Sequence, residues 1–164
     1  MAAAAAPPLQ YNSRTGEPFI RLPSPHENLI LTPPRPSDVA ANYSWMTDPK
    51  VYKMLEGPPF PYLESNAISW NEIITTQAAE AMREFQEAQA AERSTGTKTF
   101  VGTCPVRYIR EVQEDGSDVA LGDIDAHRCQ FPAVRDPDEK ARLAEENNAR
   151  ELGDPDIVWC IGSK

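Results

Sequence analysis

Two acidic side chains in the run Leu121-Gly122-Asp123-Ile124-Asp125 offer the first chemistry in this sequence. Asp123 and Asp125 stand two apart among strand formers, so both project to the same face of a strand. Carboxylates placed that way can raise one another's pKa and leave one of them able to act as a general base. A structural role at a strand end is the plainer alternative. A second pairing depends on register. With Val112 opposite Val119 across a turn, Cys104 falls opposite His127 on the face of the two aspartates, which suggests a Cys-His nucleophile or part of a metal site. Pro105 donates no ladder hydrogen bond and can shift that register, and four ligands are not visible, so no metal is expected.

Those residues must be positioned by elements that the sequence also predicts. Asn28-Leu29-Ile30-Leu31-Thr32, closed by Pro33-Pro34, reads as a first strand. Ser37-Asp38 offers a helix N-cap ahead of Val39, Ala40, Tyr43 and Met46, and Asp48-Pro49 repeats the signal before Val51, Tyr52 and Leu55. After the proline-rich loop Gly57-Pro58-Pro59-Phe60-Pro61 comes a long helix from about Ser65 to Arg93. Its stripe Ile74, Ala78, Ala81, Phe85 and Ala88 recurs at spacings of four and three, Trp70 and Ile73 extend it, and Ser94-Thr95-Gly96 stops it. From Thr99 the composition turns to strand formers. The stretches 99–112 and 119–130 flank the turn Glu114-Asp115-Gly116-Ser117 as an antiparallel hairpin, Asp136-Pro137 opens a charged surface helix to Leu152, and 156–162 reads as a further strand. The fold class expected is α/β of the α+β kind, a largely antiparallel sheet flanked by helices.

Composition narrows the function. The chain has 164 residues, the size of one domain, with 40% hydrophobic and 25% charged residues, so a packed core is expected. The sixteen prolines cluster at connections, and residues up to about His26 show no sustained period. A net charge of −9 with no basic stripe argues against a nucleic-acid partner. No apolar run approaches the roughly 20 residues of a membrane span, and the opening lacks the form of a secretion signal, so a cytoplasmic protein with no membrane partner is expected. Cys104, Cys129 and Cys160 are an odd number without Cys-x-x-Cys spacing and read as reduced, buried thiols.

The order strand, helical pair, long helix, antiparallel hairpin and further strand resembles the first part of a GNAT superfamily N-acetyltransferase domain. Leu29-Ile30-Leu31-Thr32 with Arg35-Pro36-Ser37-Asp38 is similar to that family's opening strand and first helix. Pro61-Tyr62-Leu63-Glu64-Ser65-Asn66-Ala67-Ile68-Ser69-Trp70 is similar to the start of the second helix in the branch resembling ribosomal-protein N-acetyltransferases. Leu121 to Asp125 resembles the central Gly-containing strand, and Ile157-Val158-Trp159-Cys160-Ile161 the fourth strand.

The resemblance implies transfer of an acetyl group from acetyl-coenzyme A to a primary amine, on a small molecule or a peptide, by direct attack. Composition sets residues 1–27 apart as a flexible leader rich in Pro and Ala, and the resemblance implies a partial acetyltransferase-like domain over 28–164, truncated after its fourth strand. The resemblance also implies that Tyr62 binds the amine, with Trp45 and Trp70 either beside it or in the core; on such a substrate the spacing of Asp123 and Asp125 offers a base for the ammonium group. The family holds the cofactor's pyrophosphate on a Gln/Arg-x-x-Gly-x-Gly/Ala turn leading into a helix, and nothing in this sequence has that form. Cofactor-binding residues therefore stay unassigned, and the chain alone is expected to be inactive. The alternative is a non-catalytic fragment or interaction module that pairs, or self-associates, through the exposed edge of its last strand.

Overall fold

A computed structural model describes residues 9–55 and 57–163, so the first eight residues of the expected leader lie outside it. The rest of that leader carries two short strands, Gln10–Tyr11 (β1) and Pro18–Arg21 (β2). Gln10 pairs with Phe19, and Ile20 pairs with Leu31 of β3 (Leu29–Thr32), all antiparallel. Strands of two and four residues are too short to show a period in sequence, which is why this stretch carries no strand signal.

The chain then forms a 3₁₀ turn at Pro36–Asp38, helix α1 (Val39–Thr47) and the short helix α2 (Pro49–Tyr52). Asp48 caps α2, its side chain accepting from the backbone N–H of Lys50 at 2.8 Å. Helix α3 runs from Glu64 to Thr95, and Gly96 follows it with φ of +70°, as a left-handed stop requires. Strands β4 (Tyr108–Val112) and β5 (Asp118–Arg128), helix α4 (Pro137–Ala149) and β6 (Trp159–Ser163) complete the described elements. The strands lie in the order β1-β2-β3-β4-β5-β6, an α+β arrangement with an open antiparallel sheet.

Expected boundaries and one register change, and α4 ends at Ala149 rather than Leu152. Residues 99–107 are not strand, because β4 begins at Tyr108. Trp159 is in a strand as expected, but that strand starts at 159 rather than 156. At the hairpin turn, Val112 faces Asp118 and Glu111 faces Val119, one residue away from the expected register. Gly116, at φ +79°, allows a tighter five-residue loop in which Gln113 N–H donates to the Ser117 carbonyl at 2.8 Å. An irregularity between Ile109 and Arg110 then inserts one residue, so that Tyr108 faces Asp123 in the register first expected. The Cys104–His127 pairing still fails, since no strand reaches back to Cys104.

The chain divides into two compact units. Of the described residues, the first comprises those up to Glu80, 105–124 and Ser163. Its core holds Ile30, Met46, Ala67, Ile74 and Tyr108. A cluster of charges runs through it. Arg110, 3% exposed, donates through Nε to Thr32 Oγ1 at 2.6 Å and through Nη2 to Asp38 Oδ2 at 2.6 Å. Asp38 Oδ2 also accepts from Arg35 N–H at 2.6 Å, and the Arg35 guanidinium bridges Glu17 at 2.5 Å and Asp118 at 2.7 Å. Thus β2's approach, the α1 entrance, β4 and β5 are joined by one ionic network.

The second unit comprises 81–104 and 125–162. Asn147 is its central polar residue: Nδ2 donates to the carbonyls of Cys129 at 3.2 Å and Val158 at 2.9 Å, while Oδ1 accepts from Val158 N–H at 2.9 Å. The Arg128 guanidinium donates to the carbonyls of Asn147 and, at 2.8 Å, Arg150, satisfying the C-terminal end of α4. Gly153 sits at φ +95°, and a Cβ there would stand 2.6 Å from the Phe100 ring. Phe85 is only half-buried, so Phe85→Ala loses less than the roughly 3–5 kcal/mol of a fully buried phenylalanine.

Candidate functional site

The first unit contains a cavity of about 450 Å³. Asn42 and Met46, four apart on α1, supply one wall, and Asn66, Ser69, Trp70 and Ile73, at the helical spacing of three and four, supply another. Gly57, Pro58, Pro59 and Tyr62 close it from the connecting loop. Proline fixes this loop locally, and α3 is seated beneath it by Ala67, fully buried against Met46 and Tyr62. At its start Asn66 Oδ1 accepts from Leu63 N–H at 2.8 Å.

Tyr62, the residue singled out in the loop, is therefore in the cavity wall. Its hydroxyl donates to Asn42 Oδ1 at 2.9 Å, and burial pushes its pKa up, so it stays a neutral hydroxyl. Asn42 was not expected from sequence, although its place between Val39 and Met46 on the buried face of α1 is a signal for a polar residue turned inward. Trp70 is half-buried and lines the cavity, with the Arg107 guanidinium 5.9 Å from its ring centre. Trp45 instead packs on Tyr108, their ring centres 5.7 Å apart.

Tyr108 is fully buried and its hydroxyl has no partner in hydrogen-bonding geometry. Burial, with the charges of Asp38 and Asp123 behind it, pushes the phenol up to about 12 from 10.0. The raised value stabilises the fold fully below about pH 10, and that contribution is lost as pH rises through about 12. Between pH 8 and 11.5 the native protein should lose about 2 kcal/mol that Tyr108→Phe does not lose, read from urea melts at both pH values. Equal losses in the two proteins would contradict the burial of this hydroxyl.

Asp123 is buried and accepts from Arg107 Nη2 at 2.9 Å, while Asp125 is partly exposed and meets His127 Nδ1 at 3.0 Å. Neither lines the cavity. Cys104 is exposed, and Cys129 rather than Cys160 is the buried thiol. Among the described residues no group of three or more His, Cys, Asp or Glu could hold a metal ion.

No protein family, characterised protein or solved structure matches this chain.

A pyrophosphate-bearing cofactor does not fit the described residues. Its natural seat is a helix N-terminus with free N–H groups. Here Asp38 precedes α1, Asp48 caps α2, Glu64 stands in the first turn of α3, and Asp136, Asp138 and Glu139 surround the start of α4. These carboxylates already occupy or repel at each positive helix end. No helix among the described residues is long and apolar enough to cross a membrane.

Proposed function

We propose that the described residues form the amine-accepting part of an acetyl-coenzyme A-dependent N-acetyltransferase of GNAT type. The observation that carries this reading is the cavity walled by Tyr62, Asn42 and Trp70, at the loop where the sequence resemblance puts amine entry. The order of strand, helical pair, long helix and antiparallel strands supports it. In this reading an acetyl thioester supplies the acyl group, and the part of these residues is to bind and orient the amine. An amine attacks only when neutral. A cavity with apolar walls disfavours the ammonium form, which promotes proton loss without a dedicated base. Asp123, tied to Arg107, is left to hold β4 and β5 together.

Amide resonances followed during titration with a simple primary amine test the reading. Shifts should concentrate on residues 57–73 and Asn42. Shifts centred on Asp123 to His127, with the cavity silent, would sink it.

A second reading rests on β6, which ends the strand order and exposes Trp159 and Ile161, the latter 74% accessible. Such an edge can pair with another strand, in a second copy or another protein. Sedimentation should then show a concentration-dependent dimer that Ile161→Lys abolishes; a monomer throughout would remove this reading.

A further inference from the structure

We infer that the amine taken by this cavity is a monoamine on an aromatic or branched apolar body, and not a polyamine or an amine flanked by further charges. The inference rests on the proposed function and adds the class of acceptor to it. Three observations carry it. First, among the described residues that line the cavity none is charged; the polar ones are Asn42, Tyr62, Asn66 and Ser69, and Met46, Pro58, Pro59, Trp70 and Ile73 make the rest of the wall apolar. A second or third ammonium entering there would lose its water without meeting an opposite charge, which is strongly unfavourable.

Second, the polar groups of the wall are neutral and can receive an uncharged amino group. The Tyr62 hydroxyl spends its proton on Asn42, so its oxygen lone pair is left to accept one N–H. The Asn66 carbonyl oxygen is already bonded to Leu63 N–H. The Trp70 ring adds a face suited to an aromatic body or to a single ammonium. Third, the loop and helix that line the cavity expose large apolar side chains. Phe60 is 76% exposed and Leu63 54%, both in the loop that closes the cavity, and Ile73 in its wall is 48% exposed. Large apolar side chains exposed together beside a cavity of ligand size, about 300–1,000 Å³, mark a surface that receives apolar groups.

The test is a calorimetric titration of the full chain with phenethylamine, spermidine and 2-phenylethanol, repeated on Ser69→Trp. Ser69 is exposed on α3 and lines the cavity, so tryptophan there fills the space without entering the core. Phenethylamine should bind one to one, spermidine should not compete, 2-phenylethanol should bind more weakly, and Ser69→Trp should weaken phenethylamine by about tenfold or more. Should Ser69→Trp fail to fold, Tyr62→Phe serves instead, since it removes the accepting oxygen and keeps the ring. Spermidine binding in the cavity more tightly than phenethylamine would overturn the class of acceptor while leaving an amine site standing. Equal binding of the alcohol and the amine, or no binding of either, would overturn the amine site itself and this inference with it.

Discussion

Arg110→Ala should remove about 3–5 kcal/mol of folding stability, the largest loss expected from any single substitution of a charged residue here. The guanidinium is 3% exposed and holds Thr32, Asp38 and, at 3.5 Å, Asp118. Its removal leaves Asp38 as a buried carboxylate with only the Arg35 backbone N–H, and leaves the Thr32 hydroxyl without its donor. Arg110→Lys should recover only part of the loss, because one ammonium cannot reach both Thr32 and Asp38 in the geometry of the planar fork. Urea melts decide it, and a loss under about 1 kcal/mol for Arg110→Ala would contradict the buried network. The same network sets the acid limb. Burial raises the pKa of Asp118, but its hydrogen bonds to Arg35 and the charges of Arg35 and Arg110 outweigh that and hold it below the usual carboxylate range. Its contribution is therefore present above an unfolded pKa of about 3.9 and fades as pH falls through the lower native value.

Ile74→Ala should cost about 2–5 kcal/mol. Ile74 is fully inaccessible on the face of α3 that also buries Ala67, Asn71 and Ala78, and few mobile groups there can collapse into the space. The helix also carries half the cavity wall, so the substitution should weaken amine binding through a loosened Trp70 and Ile73. Ile73→Ala, at an exposed position one residue earlier, should change stability by less than about 1 kcal/mol. Thermal and urea unfolding of the two variants side by side measures the contrast. Similar losses in both would mean that the buried stripe of α3 is misassigned.

How far the sequence foretold this depends on the range of the interaction. The stripe Ile74, Ala78 and Ala81 was legible because helix period is local, and all three are buried. It weakens at Phe85 and Ala88, which are half-buried, because a period reports which residues share a face but not where the covering surface ends. Helix α4 and its Asp136 cap were legible for the same local reason, with Asp136 accepting from Asp138 and Glu139 N–H at 3.0 Å. Register was not legible. A tight turn at Gly116 and an irregularity at Ile109/Arg110 move it by one residue and back, and no pattern of alternation records either.

The ionic network was also hidden. In the run 106–112 Val106, Tyr108 and Arg110 share the buried face, and nothing local marks Arg110 as a core residue. Arg110 can be buried only because Thr32 and Asp38, more than seventy residues away in sequence, receive it. Tyr62 was found through its loop position, while its partner Asn42 needs the packing of α1 on that loop to be seen. The spacing of Asp123 and Asp125 is legible in the sequence, whereas the partners Arg107 and His127 are set by the fold.

On the proposed function these residues receive an amine and do not themselves grip the cofactor. Calorimetric titration of the full chain with acetyl-coenzyme A, alongside phenethylamine, tests it most directly. The account predicts saturable one-to-one binding of the amine. It predicts no binding of acetyl-coenzyme A in the low-micromolar range, since loss of the pyrophosphate contacts is worth about 1.4 kcal/mol for each tenfold in affinity. Low-micromolar, one-to-one binding of acetyl-coenzyme A with no response to the amine would contradict it.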